Sequence, residues 1–159
     1  SLAAWQDFGL ESGEYVLVTL HRPRLVDDPL LIERTIGALE QVAADIPVLF
    51  PVHPRTRGRL DALNGAGPKR VQITPPLPYT RFVSLQAGAR AIVTDSGGIQ
   101  EESTALGIRC FTLRDNTERP ITITEGTNQL VLDMSLIPAL IADLDVSPPR
   151  RKAPEGWDG

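Results

Sequence analysis

The residues with most chemistry to offer stand in one run, Asp95-Ser96-Gly97-Gly98-Ile99-Gln100-Glu101-Glu102. The preceding Ala91-Ile92-Val93-Thr94 is apolar and β-branched and reads as a strand, while the residues from Gly98 read as a helix. A strand that hands a Ser-Gly-Gly turn to a helix N-terminus is suited to hold an anion. Free backbone N–H groups and the positive end of the helix dipole point at the same spot. Glycine has no Cβ, so a phosphate can approach the backbone closely. Glu102 lies four residues after Gly98 and faces the same side of the first helical turn. A carboxylate there cannot hold a phosphate, but it can accept hydrogen bonds from sugar hydroxyls. The combination points to a nucleotide or nucleotide-sugar site. Plainer readings exist for each residue: Ser96 as a helix cap, and Glu101 and Glu102 as acids favoured by the dipole.

The elements that must position this run alternate along the chain. Tyr15 to Leu20, Pro47 to Val52, Arg70 to Ile73, Ala91 to Thr94, Ile108 to Leu113 and Gln129 to Leu132 read as strands. Asp28 before Pro29 signals a helix start, and that helix is expected to reach Ala44 with Leu30, Leu31, Ile36, Leu39 and Val42 near one stripe. Arg55 to Leu63 reads as a short basic helix closed by Asn64-Gly65, and Thr80 as the cap of a helix ending near Gly88. Gly98 to Leu106, ended by Gly107, a short helix before Gly126, and Ser135 to Leu144 complete the set. Strands alternating with helices of this length imply an α/β fold: a parallel sheet with helices on both faces. Residues 1–146 are expected to form one domain, and the proline- and charge-rich residues 147–159 a tail without a core pattern.

In open parallel sheets, ligands bind beyond the carboxyl ends of the strands. Here those ends deliver His21-Arg22, His53-Pro54-Arg55, Asp95-Ser96-Gly97-Gly98 and Arg114-Asp115, the last followed by Thr117-Glu118-Arg119. Both histidines and several arginines thus gather at one rim of a chain whose net charge is −4. Cationic side chains at the ligand edge of an acidic protein favour a phosphorylated ligand, because arginine pairs with phosphate through a planar fork. Taken singly, His21 reads as a residue that follows a strand, His53 as a turn residue, Arg55, Arg57 and Arg59 as a solvated helix flank, and Phe82 as core. Their convergence on one rim is what favours a site.

The acidic balance speaks against a nucleic-acid partner. No apolar run is long enough to span a membrane. A lone Cys110 rules out an internal disulfide and, lying in an apolar run, reads as a buried core thiol. With His21 and His53 the only histidines, no zinc-ligand spacing exists. No metal or cofactor is expected, and a cytoplasmic, reducing location is.

Asp95-Ser96-Gly97-Gly98-Ile99-Gln100-Glu101-Glu102, Leu113-Arg114-Asp115-Asn116-Thr117-Glu118-Arg119-Pro120 and Glu125-Gly126-Thr127-Asn128 resemble the non-hydrolysing UDP-N-acetylglucosamine 2-epimerases. Thr19-Leu20-His21-Arg22, Pro51-Val52-His53-Pro54 and Leu77-Pro78-Tyr79 with Phe82 fit the same family in order, so the likeness runs from about Gly9 to Leu132. The resemblance implies a Rossmann-like UDP-binding domain, the C-terminal half of a two-domain fold of the B-type glycosyltransferase (GT-B) kind. On that reading the chain is a fragment, its tail leads to a truncated final helix, and its partner is the missing N-terminal domain of the same protein. The full-length protein is expected to be a homodimer.

The resemblance also implies roles. Ser96, Gly97 and Gly98 would hold the diphosphate, Glu102 the ribose hydroxyls, and Phe82 would lie in the segment that contacts uracil. His21 would be the catalytic residue near the diphosphate and sugar, and Arg119 would reach toward them. His53 matches a position of a second, regulatory UDP-N-acetylglucosamine site. After the histidine–arginine pair, however, Pro23-Arg24-Leu25-Val26-Asp27 departs from the arginine, glutamate and asparagine of many bacterial members. The implied reaction inverts C2 of UDP-N-acetylglucosamine through elimination and re-addition of UDP, a step in cell-envelope polysaccharide synthesis. Most of its acids and bases belong to the other domain, so this chain alone is expected to be inactive. A hydrolysing epimerase, a glycosyltransferase nucleotide-binding half and a stand-alone, non-catalytic UDP-sugar-binding module are the alternatives.

Overall fold

The computed structural model describes residues 3–21 and 27–144. Arg22, most of the loop after it and the tail 147–159 therefore lie outside the described residues. Six strands form one sheet: β1 (Val16–Thr19), β2 (Val48–Pro51), β3 (Gln72–Thr74), β4 (Ala91–Thr94), β5 (Arg109–Thr112) and β6 (Asn128–Leu130). Their order is β3-β2-β1-β4-β5-β6, and every pairing is parallel. This is the doubly wound arrangement, with the order reversing between β1 and β4.

Alternation along the strands builds two cores. Val16, Val18, Val48, Phe50, Ala91, Val93 and Phe111 point to one face, where they meet α1 (Pro29–Ala43) through Ile32, Ile36 and Leu39, α2 (Pro54–Asp61) through Leu60, and α6 (Ile137–Ala142) through Ile137 and Ile141. Leu17, Leu49, Ile92 and Cys110 point to the other, against Leu85 of α3 (Tyr79–Gly88), Ile99 of α4 (Gly97–Leu106) and Ala4. A one-turn helix, α5 (Ile121–Thr124), joins β5 to β6. Apolar side chains on both faces explain why β1 and β4 are buried throughout and read as continuous apolar runs.

Asp28 caps α1 as expected, its carboxylate accepting from the N–H groups of Leu30 and Leu31 at 3.0 and 3.3 Å. Three expectations are corrected. Leu30 is exposed and Ile32 faces the core instead, because the apolar stripe begins one half-turn later. Thr80 does not cap α3, which starts at Tyr79 behind Pro78. The last helix is preceded by a 3-10 turn, Met134–Leu136, whose cap is Asp133, accepting from Ser135 N–H at 2.9 Å.

A 3-10 turn at Ala4–Phe8 packs against α3. Arg81 pairs with Asp7 at 2.8 Å and lies 5.4 Å from the centroid of the Phe8 ring. No helix of the described residues is long and apolar enough to cross a membrane.

Candidate functional site

All carboxyl ends of the strands lie along one edge, where His21, His53, Asp95, Ser96 and Arg114 follow them. The β4–α4 junction is its centre. Thr94 Oγ1 accepts from Ser96 N–H at 3.0 Å and turns the chain out of the strand. Ser96 is extended (φ −95°, ψ 133°), and its hydroxyl makes no capping hydrogen bond with α4. A serine at this position that does not cap its helix leaves the first-turn N–H groups to a ligand.

Arg119 reaches this junction from the β5–α5 loop. A Cβ placed on Gly97 would run into its guanidinium, so the absence of a side chain at residue 97 is what admits the arginine. Arg119 Nε donates to Glu101 Oε1 at 2.5 Å, and Nη1 lies 3.9 Å from Glu118. The helix dipole and the guanidinium converge, and an anion is the natural third member.

A polar network holds the Arg119 loop from behind. Arg119 N–H donates to Thr117 Oγ1 at 3.0 Å, and Thr117 donates to Gln100 Oε1 at 2.6 Å. Asn128 Nδ2 donates to the same oxygen at 3.0 Å and to Thr122 Oγ1 at 3.1 Å. Thr112 donates to Asn128 Oδ1 at 2.5 Å. Gln100, Thr112, Thr122 and Asn128 are buried, so breaking one of these bonds strands its partner away from water.

Glu102 faces α3. Tyr79 Oη donates to Glu102 Oε1 at 3.1 Å, and Gln86 Nε2 donates to Oε2 at 2.7 Å. The neighbouring carboxylate raises the pKa of the Tyr79 phenol above its ordinary value, by hydrogen bonding first and charge second. Phe82, one turn on, is half-buried and packs on the second core. Ser96, Gly97, Gly98, Arg119, Glu102 and Phe82 thus line the α4 N-terminus and the α3–α4 contact.

His21 follows β1, next to β4 across the reversal of strand order. Its backbone N–H donates to both carboxylate oxygens of buried Asp95, at 3.0 and 3.1 Å. Its exposed ring lies against the Thr19 hydroxyl, 3.2 Å from Nδ1. Asp95 therefore links the β1 and β4 ends. His53 stands one strand further out. It caps α2, with Nδ1 accepting from Arg55 N–H at 3.1 Å, and none of its described hydrogen bonds reaches the α4 site. Arg55 and Arg59 pair with Asp27 at 2.5 and 3.6 Å, and Arg57 with Asp61 at 3.3 Å, so the basic flank is a solvated face as read. Among the described residues, no cluster of three or more His, Cys, Asp or Glu could hold a metal ion.

A family profile, UDP-N-acetylglucosamine 2-epimerase, matches residues 3–147, beyond both ends of the Gly9 to Leu132 likeness. The chain belongs to this family. A UDP-N-acetylglucosamine 2-epimerase of Methanocaldococcus jannaschii is 40% identical over 126 residues, which are 76% of this chain and 34% of that protein. A UDP-2,3-diacetamido-2,3-dideoxy-D-glucuronate 2-epimerase of Pseudomonas aeruginosa is 38% identical over 131 residues, 80% of this chain and 36% of that one. The solved Methanocaldococcus jannaschii UDP-GlcNAc 2-epimerase superposes with a TM-score of 0.82 at 34% identity, over 98% of this chain and 45% of that one. The same archaeal enzyme has been solved in complex with UDP-GlcNAc and UDP, with a TM-score of 0.73, 32% identity and coverage of 93% and 44%. This chain of the epimerase family spans about a third of the length of these curated relatives.

Reading the epimerase-family chain by sequence missed the supports. Gln100 and Asn128 stand within the runs that resemble the family, and Gln86 in the helix expected to end near Gly88, but no supporting role was read for any of them. A buried glutamine at a core-facing helical position is the signal that could have found two of them.

Proposed function

We propose that this domain holds the UDP half of UDP-N-acetylglucosamine in a UDP-N-acetylglucosamine 2-epimerase, the enzyme that interconverts it with UDP-N-acetylmannosamine. The observation that carries the reading is the Arg119 guanidinium seated on Gly97 at an N-terminus whose serine does not cap it. Ser96, Gly97, Gly98 and Arg119 hold the diphosphate, Glu102 the ribose, and Phe82 borders the uracil. His21 stands beside the diphosphate and sugar. His53 serves a second, regulatory UDP-N-acetylglucosamine site through Nε2, since Nδ1 is taken by the Arg55 N–H.

In the reaction a base takes the C2 proton, the C1–O bond breaks, and UDP leaves with the bonding pair. UDP then returns after protonation of the opposite face. Arg119 and the α4 dipole stabilise the charge that develops on the departing diphosphate. Coverage of only about a third of the relatives supports a second, N-terminal domain that closes the cleft and brings further acids and bases, in a GT-B-type whole. We place the full-length protein in the cytoplasm as a homodimer serving envelope-polysaccharide synthesis. The Pseudomonas aeruginosa relative, named for a diacetamido-glucuronate sugar, favours one second reading, in which the nucleotide half is common and the sugar differs.

Calorimetric titration with UDP tests the site. Binding that disappears in the Ser96→Ala, Glu102→Ala double variant is the expected result. No binding at millimolar UDP, by this chain and by the full-length protein alike, would refute it. Product analysis with the full-length protein decides the sugar and separates epimerisation from hydrolysis or transfer.

A further inference from the structure

Gln86 is fully buried on α3, yet one end of its amide is wasted. Nε2 donates to Glu102 Oε2 at 2.7 Å, while Oε1 has no hydrogen-bond partner among the described residues. Only the nitrogen can face Glu102, because two oxygens there would repel. A buried amide oxygen without a partner lowers stability, and an apolar side chain of the same length would avoid that loss. The sequence keeps a stability defect whose one visible product is a fixed carboxylate. Glu102 is gripped from α3 at both oxygens, by buried Gln86 on one and by exposed Tyr79 at 3.1 Å on the other. The two grips differ. The Gln86 bond lies in the core and stays when a ligand arrives, whereas Tyr79 is on the surface and can exchange its hydrogen bond for one from a ligand hydroxyl.

We infer that Gln86 is a positioning residue that locks the rotamer of Glu102 so that its outer oxygen faces a vicinal diol, and thereby sets the preference of this site for ribonucleotides over 2′-deoxyribonucleotides. The inference rests on the assignment of Glu102 to the ribose. A free glutamate samples several rotamers, and each hydrogen bond to the sugar must first restrict them. Held by Gln86, the carboxylate is already placed when the ligand binds. A bidentate diol gains from that placement, while a ligand with one hydroxyl gains far less.

The experiment titrates the chain and its Gln86→Met variant with UDP and with 2′-deoxy-UDP. The wild type is expected to prefer UDP by about ten-fold or more, the effect of one lost hydrogen bond to a charged group. Gln86→Met is expected to melt no lower than the wild type, to bind UDP about ten-fold more weakly, and to lose most of that preference. A purely structural role for Gln86 would weaken both ligands alike and leave the ratio intact. That result overturns the inference. A wild type that binds UDP and deoxy-UDP equally refutes the ribose assignment of Glu102 itself, and the inference falls with it. Should Gln86→Met not fold, the wild-type side-chain amide carries the test by NMR. Its signals are expected to move on saturation with UDP and to move less with deoxy-UDP, and equal shifts with both would overturn the inference.

Discussion

At the scale of single residues, the site depends on an atom that is missing. Gly97→Ala adds a Cβ where the Arg119 guanidinium lies, and the far end of a flexible side chain is what must yield. The fold is therefore expected to keep its melting temperature while UDP affinity falls by about ten-fold, the worth of one charge-assisted contact. Parallel thermal melts and calorimetry check both halves of that expectation, and a destabilised variant with unchanged affinity would refute it. Cys110 makes the opposite case, a reactive residue type with no reaction to perform. Burial pushes its thiol up to about 11, against hydrogen bonds with Ser103 and Thr112 that lower it only partly. No thiolate is available near neutral pH. A thiol reagent at pH 8 is expected to label the native protein no faster than it unfolds, and rapid stoichiometric labelling would contradict the burial. The sequence made the Ser96-Gly97-Gly98 turn and the place of Arg119 near it legible, because turn chemistry is local and the rim rule collects strand ends. Gln86 and Asp95 as supports were not legible. Which oxygen meets which amide depends on the packing of α3 against α4 and of β1 against β4, and no spacing within one segment encodes that.

Elements hold to one another through a few contacts that tolerate little change. A Cβ on Gly88, at the end of α3, would enter the Trp5 ring and come within 2.8 Å of Tyr15 Oη. Both neighbours are packed aromatics, and the Tyr15 hydroxyl already donates to the Leu85 carbonyl. Gly88→Ala is expected to destabilise by about 1–3 kcal/mol, measured by denaturant unfolding, and an unchanged midpoint would show that the Ala4–Phe8 turn is not docked as described. Glu40 of α1 clamps the entry to β3. Its carboxylate accepts from the N–H groups of Lys69 at 2.8 Å, Arg70 at 3.0 and 2.9 Å, and Val71 at 2.7 Å. Partial desolvation raises its pKa, but those backbone bonds from Arg70, Val71 and Lys69 outweigh it and hold the group below its usual range. A lowered folded-state pKa means stability that is full above the ordinary glutamate range and is lost as pH falls through the folded value. Glu40→Gln is accordingly expected to lower stability at pH 7, by about 1 kcal/mol for a solvent-screened group, and progressively less as pH falls below the ordinary glutamate range. A loss independent of pH would remove the charge from the explanation. The strands were legible because β1 and β4 are buried on both faces, and short continuous apolar runs fit that even where, as in Tyr15 to Leu20, the period itself is ambiguous. The entry to α3 was misread because Pro78 allows a start without a capping side chain, and the start of the last helix because a 3-10 turn capped by Asp133 precedes it.

For the molecule as a whole, the strand order decides what the chain can do by itself. Its reversal between β1 and β4 puts a single ligand edge between His21 and the α4 N-terminus. That edge carries the groups proposed above to hold an anion and a sugar hydroxyl. Its acid–base equipment is thin by comparison. Asp95 is buried on the His21 N–H, Glu101 is paired with Arg119, and Glu102 is bound to Gln86 and Tyr79, which leaves the exposed His21 ring as the imidazole next to the β4 end. Inversion at C2 needs a proton removed from one face of the sugar and returned to the other, and a single histidine serves at most one of those positions. An open edge also leaves the departing diphosphate in water, where the Arg119 charge and the helix dipole are screened. The chain is therefore expected to bind UDP without epimerising UDP-N-acetylglucosamine. Proton NMR of the nucleotide sugar in deuterated water is the sensitive check, because even a single elimination and return would replace the C2 proton with deuterium. No exchange over hours, with UDP binding intact, is the expected outcome. Steady exchange by this chain alone would mean that His21 and the α4 rim already contain a complete proton-transfer site, and that the proposed second domain would contribute closure but not chemistry.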